Sequence, residues 1–201
     1  NELSLEVALE AGVLGNLGCG AIEALGPHTL LTDTDLQTIY IRVKNMSSEP
    51  VEFTLQIDGN EICESTSLDV SVAASLDKVS YVDVPIPIKN TDIDGEYIIK
   101  AKLLYSDNMV TRANFPVTIL EPTQEILNAI KTLIEDNSIG LPEIVLDEYV
   151  DIYNNFSTMG YTITFDPNGG IVTPVSVTTS GNGVLSTLPT PTRTGGYRFD
   201  G

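Results

Sequence analysis

Between residues 36 and 120 the chain alternates apolar and polar residues in short runs, each closed by a turn signal. Ile39, Ile41 and Val43 fall on odd positions, and so do Val51, Phe53, Leu55 and Ile57 beyond the turn Asn45-Met46-Ser47-Ser48-Glu49-Pro50. Successive side chains of a strand point to opposite faces, so this period of two turns one face of each run into a core. Asp58-Gly59-Asn60 reads as a tight hairpin from which Glu61 to Glu64 returns. Val79 to Ile88 predicts a further strand, and Pro85 and Pro87 place it at an edge or an end, because proline donates nothing to a ladder. Asp94-Gly95 turns into Tyr97 to Tyr105, and Ser106-Asp107-Asn108 turns into Val110 to Leu120. Ahead of these, Leu3, Leu5, Val7 and Leu9 alternate in a first strand. Gly12 to Thr34 reads as a long glycine-rich loop holding a short strand or turn, since its glycines oppose a helix. About seven short strands with turns between them predict a β-sandwich over residues 1–121.

The pattern changes after Pro122. Thr123 is a predicted N-cap, and Ile126, Leu127, Ile130, Leu133 and Ile134 make one helical face. Asp136-Asn137-Ser138 and Gly140 end it. Ile144, Val145, Tyr149, Ile152, Tyr153 and Phe156 predict a second helix over 142–156. Two short amphipathic helices each need a partner for their apolar stripe. Residues 122–158 are therefore expected to form a helical connector, packed on itself and on a neighbouring domain.

Charge narrows the function classes. With 28 acidic against 10 basic residues the formal charge is -18, a field that repels phosphate backbones and anionic membranes. Nucleic acid is not an expected partner, and most of the acid serves solubility. No run approaches the roughly 20 apolar residues of a membrane span. Asn1 opens no charged n-region with an apolar core, so a secretory leader is expected to be absent or already removed. Cys19 and Cys63 permit one disulfide within the first domain, although two separate thiols are the favoured reading.

Residues 159–201 carry the most specific motif. Tyr161-x-Ile163-x-Phe165-Asp166-x-Asn168-Gly169-Gly170 is followed by Leu188-Pro189-x-Pro191-x-Arg193 and then Gly196-Tyr197-x-Phe199-Asp200-Gly201. The physical logic is legible: Ile163 and Phe165 share a strand face, Asn168-Gly169-Gly170 supplies positive-φ positions, and Val172, Val175 and Val177 rebuild a strand. Leu188 is expected to plug a core before the prolines fix an extended crossing. This segment resembles the Listeria–Bacteroides repeat, the B-repeat of internalin-type surface proteins, in which Trp usually follows the last Gly. The resemblance implies a small β-grasp-like fold, C-terminally truncated here. Residues 36–120, with IYIRVKNMSSEPVEFTLQIDGNEI and DGEYIIKAKLLYSDN, resemble bacterial immunoglobulin-like or CARDB-like adhesion modules. There a V-x-N turn, a D-G hairpin and a late G-x-Y strand recur. Tyr97 is then expected to be a core tyrosine with a bonded hydroxyl. The fold class is mainly β: an immunoglobulin-like sandwich, a short helical connector and a β-grasp-like repeat.

Each candidate site has a plainer reading. Asn90-Thr91-Asp92-Ile93-Asp94-Gly95 fits the first half of a calcium loop, but the twelfth position, where a bidentate Glu belongs, is Ala101. It reads as an acidic hairpin turn, with weak surface calcium binding left open. Asp33 with Asp35 is a loop pair, and Asp166 with Asn168 is turn chemistry. His28 has no nucleophile in a telling context, and Gly18-Cys19-Gly20 lacks the strand–helix setting of a phosphate loop. Asn45-Met46-Ser47 and Asn155-Phe156-Ser157 match the glycosylation sequon by coincidence. No catalytic, cofactor-binding or metal-ligating residue is assigned, and no cofactor is expected. The expected function is a non-enzymatic module of a bacterial cell-surface or secreted protein, extracellular or at the cell wall. It would serve as stalk and adhesion unit, meeting a protein or glycan and the neighbouring domains of its own chain. The alternative is an accessory module of an extracellular glycosidase or peptidase.

Overall fold

The computed structural model describes residues 18–32, 37–89, 91–158, 160–179, 185 and 187–195. The strand expected at Leu3 to Leu9, and the Tyr197–Phe199 strand, lie outside them. Eight strands among the described residues form two facing sheets: β1 Gly20–Gly26, β2 Thr29–Leu31, β3 Gln37–Asn45, β4 Val51–Asp58, β5 Thr66–Val72, β6 Ser80–Ile88, β7 Gly95–Tyr105 and β8 Asn108–Leu120. One sheet has the order β1-β3-β6, and the other β2-β8-β7-β4-β5. All pairings are antiparallel except β2 with β8, which runs parallel from Thr29–Thr118 to Leu31–Leu120. The chain changes sheets at Gly26, whose φ of 106° a side chain would oppose. This mainly-β arrangement is consistent with an immunoglobulin-like sandwich.

The predicted alternation sets the registers. In β3 every odd residue from Gln37 to Asn45 is buried, and Phe53, Leu55 and Ile57 face them from β4. β7 contributes Ile99, Ala101 and Leu103, and β8 contributes Phe115, Val117 and Ile119. Burying side chains of this size stabilises by about 1.5–3 kcal/mol each relative to exposure. Gln37 sits in the same apolar layer by acting as a strand neighbour: its Nε2 donates to Leu31 O at 2.7 Å and its Oε1 accepts from Leu31 N at 3.0 Å. Ser106 and Asp107 at φ 47° and 65° make the tight turn between β7 and β8, as their position predicts.

Two local expectations change. The return strand is Thr66–Val72, not Glu61–Glu64, because Asn60 extends the turn. Its Oδ1 accepts from Ile62 N at 3.0 Å while its Nδ2 donates to Ile98 O at 2.9 Å, two residues past the end of the β4–β7 ladder at Asp58–Lys100. The glycine-rich stretch holds two strands rather than one. Gly20 is there for packing: a Cβ would meet Phe53 Cε1 at 2.7 Å and Leu103 Cδ2 at 2.9 Å.

Helix α1, Gln124–Glu135, starts at Thr123, whose hydroxyl accepts from Ile126 N, and α2 spans Glu143–Thr158. The partner of their apolar stripes is the sandwich itself: Leu127, Ile130, Val145, Tyr149, Ile152 and Phe156 belong to the same buried cluster as the strands. In the last segment β9 Thr162–Thr164 pairs with β11 Ser176–Thr178, and β10 Ile171–Thr173 pairs with β12 Thr190–Thr192, as two separate antiparallel pairs. Pro174, reached through a cis peptide bond, divides the strand expected across Val172 to Val177.

Candidate functional site

The loop resembling half a calcium site links β6 to β7, and its Asn90 lies outside the described residues, as do Asp33 and Asp35. Asp92 and Asp94 are exposed and border a shallow depression with Thr32, Glu121, Pro122, Thr123 and Tyr161. Tyr97 Oη donates to Ile93 O at 3.1 Å and closes this turn, so the expected hydroxyl bond is present, but the ring is half-buried at the margin of the core rather than inside it. Ala101 is buried inside β7 and offers no side-chain oxygen. Among the described residues no group of three or more His, Cys, Asp or Glu is arranged to hold a metal. Asp166 Oδ1 accepts from Asn168 N at 2.9 Å, and Asn168 and Gly169 have φ of 42° and 81°, which is the expected turn chemistry.

His28 is exposed, with Nδ1 3.0 Å from Pro116 O. Cys19 and Cys63 are free and buried. Burial pushes both thiols above the usual cysteine range, which works against nucleophilic chemistry.

A groove of about 520 Å³ runs between the outer face of the β1-β3-β6 sheet and the start of α2. Arg42 donates from Nε and Nη2 to Asp83 Oδ1 and Oδ2 at 2.7 and 2.8 Å, and its guanidinium lies 3.8 Å from the centre of the Tyr81 ring. Beside it Thr38 N donates to Glu148 Oε1 at 2.8 Å and ties β3 to α2. Burial pushes the Glu148 carboxyl up, the Thr38 N–H pulls it back, and Asp151 pushes it further up. Tyr40 is raised by burial and then by Glu148, Asp151 and Asp147. These groups hold the helices to the sheet.

The opposite outer face carries residues that no motif flagged. Register puts Lys102 directly across from Arg112 and from Gln56, which is itself across from Ser67. Lys100 stands in the next row, between Asp58 and Asn114. Lys100, Lys102 and Arg112 are all exposed, and among the described residues none of them is in an ion pair. Lys102, Gln56, Asp58, Ser65 and Ser67 line a shallow depression of about 510 Å³.

In the last segment Phe165, Ile171, Val172, Leu188, Pro189 and Pro191 line a wider groove of about 840 Å³. Leu188, expected to plug a core, is 78% exposed. It precedes β12 and flanks the groove, because β12 pairs with β10 only from Thr190 onward.

No protein-family model matches the chain, and no curated protein matches it. Among solved structures it is similar to a CARDB domain of a Pyrococcus furiosus protein, in complex with di-metal ions. The identity is 17%, the likeness covers 51% of this chain and 94% of that one, and the TM-score is 0.38. It is also similar to Salmonella alpha-2-macroglobulin reacted with methylamine, at 13% identity and TM-score 0.40 over 51% of this chain. That match spans 7% of the macroglobulin's length. The apo form of the Calx CBD1 domain is similar at 7% identity and TM-score 0.33, over 52% of this chain and 98% of that one. No helix among the described residues is long and apolar enough to cross a membrane.

Proposed function

We propose that this chain is a non-enzymatic module of a bacterial cell-surface or secreted protein, acting as stalk and adhesion unit outside the cell. The observation that carries the reading is the serial order: a β-sandwich, a docked helical hairpin, then the segment whose motif resembles a B-repeat. A β-grasp-like arrangement of that segment belongs to the same proposal. Stiff β modules in series space a distal domain from the wall, and their exposed faces and sheet edges offer the binding surface for a protein or glycan. The depressions on the sandwich are shallow and open, and the buried thiols and bonded tyrosines act on the fold rather than toward a reacting centre. Small-angle scattering of the purified chain tests the reading. An elongated particle is expected; a compact sphere refutes the stalk.

A further inference from the structure

We propose that the outer face of the β2-β8-β7-β4-β5 sheet is a docking site for an anionic glycan, a chain bearing carboxylates or sulfates between free hydroxyls. This names the ligand class for the adhesion role and rests on it. The argument starts from charge. The protein has 28 acidic and only 10 basic residues, yet Lys100, Lys102 and Arg112 stand together on one exposed face. Among the described residues, Arg42, Lys44, Lys89 and Lys131 each pair with a carboxylate, while these three do not. Lys102 and Arg112 are directly opposite each other, an arrangement of like charges that costs stability. Asp58, across from Lys100, is the carboxylate that the registers place in the two rows. The neutral groups matter as much. Gln56 and Ser67 continue the Lys102–Arg112 row over four strands, roughly 14 Å at about 4.8 Å per strand, and Ser65 adjoins them. Lys100 and Lys102 are about 7 Å apart along their strand. Cations at such spacings, flanked by amide and hydroxyl groups, match a polymer whose anions are separated by hydroxyls. A duplex, with one charge per about 1.7 Å, would meet the field of a -18 protein at close range. An acidic peptide would use the cations but brings no ring hydroxyls to set against the Gln56 amide and the Ser67 hydroxyl, and the hexaglutamate probe tests that difference.

The test is calorimetric titration of the whole chain with four probes: a heparin hexasaccharide, an oligogalacturonate, maltohexaose and a hexaglutamate peptide. At least one anionic glycan should bind, and binding should weaken several-fold from about 50 to about 200 mM NaCl as screening sets in. Lys102→Gln with Arg112→Gln should weaken it by about tenfold, and Lys131→Gln, removing a cation from α1, should leave it unchanged. A thermal melt of each variant separates lost binding from lost folding, and Lys100→Gln alone should give a smaller loss in the same direction. No binding of either anionic glycan overturns the proposal, and so does equal binding by maltohexaose or hexaglutamate, or an equal loss with Lys131→Gln. If binding fails while scattering shows an elongated particle, the glycan site falls and the stalk reading stands.

Discussion

Asn45 closes the turn between β3 and β4, and replacing it should weaken the sandwich more than any exposed substitution. The residue is fully buried. Its Nδ2 donates to Glu49 O at 2.8 Å and Ala73 O at 2.9 Å, with a longer contact to Val72 O at 3.3 Å, and its Oδ1 accepts from Ser47 N at 2.8 Å. One side chain thus ties the β3–β4 turn to the end of β5 in the facing sheet. Asn45→Ala strips partners from backbone groups that are partly or fully shielded from water. At about 1–1.5 kcal/mol for each of the three shorter bonds, the loss is about 3–4 kcal/mol, reached because these groups are left unsatisfied rather than replaced. For a chain of this size that lowers Tm by roughly 10 °C. Asn45→Asp is the sharper variant, since it keeps the Oδ1 acceptor and aims a carboxylate at two or three carbonyl oxygens. It should cost at least as much as alanine at neutral pH and recover part of the loss on acidification, once the carboxyl can donate. Urea unfolding followed by circular dichroism, with an unchanged m-value, measures both. A loss under about 1 kcal/mol for Asn45→Ala, or an Asp variant insensitive to pH, would refute the reasoning.

Two further outcomes follow from groups at the interfaces. Burial raises the Glu148 carboxyl in the folded state, so its favourable contribution is present below the unfolded carboxylate range and is lost as pH rises through the raised folded value. Glu148→Gln keeps an acceptor for Thr38 N and removes the charge beside Asp147 and Asp151, so it should raise Tm at pH 7 and flatten the stability profile; Glu148→Ala should instead cost about 1 kcal/mol. Cys19 and Cys63, buried and with raised thiols, should resist a thiol-reactive dye in the native protein near pH 8 and react together on unfolding in urea; fast native labelling would contradict their placement.

What was legible in the sequence depended on how much apolar surface each element buries. β3, β4, β7 and β8 alternate strongly because they line the core, and their positions follow from period alone. β5 is an edge strand with the pattern Thr66-Ser67-Leu68-Asp69-Val70-Ser71-Val72, and only Val70 and Val72 in it are buried, so its signal is faint. β1 was masked by its glycines, which read as turn residues; Gly20 instead makes room for the Phe53 ring. The V-x-N resemblance singled out Asn45, and its four hydrogen bonds supply the physical reason. The basic face left no motif. Lys100 and Lys102 show a shared face by period two, but Arg112 joins them only through the β7–β8 register.

The helical hairpin bears on how a stalk would carry load. The chain leaves the sandwich at Leu120, passes through α1 and α2, and comes back to its point of departure: Tyr161 Oη donates to Pro122 O at 3.0 Å. The helices are therefore a closed excursion, tied at its neck and docked by Val145, Tyr149, Ile152 and Phe156. Tension between the sandwich and the last segment meets the neck bond first. One exposed hydrogen bond contributes about 0.5–1.5 kcal/mol, so it yields before the sheets do. The load then falls on the α2 face, where the buried apolar side chains and the Glu148–Thr38 contact resist together. Sheet ladders loaded later would hold longer, because the β7–β8 pairing runs from Gly95–Ile119 to Tyr105–Asn108. In a stalk, this order would make the hairpin an extensible element between two β units.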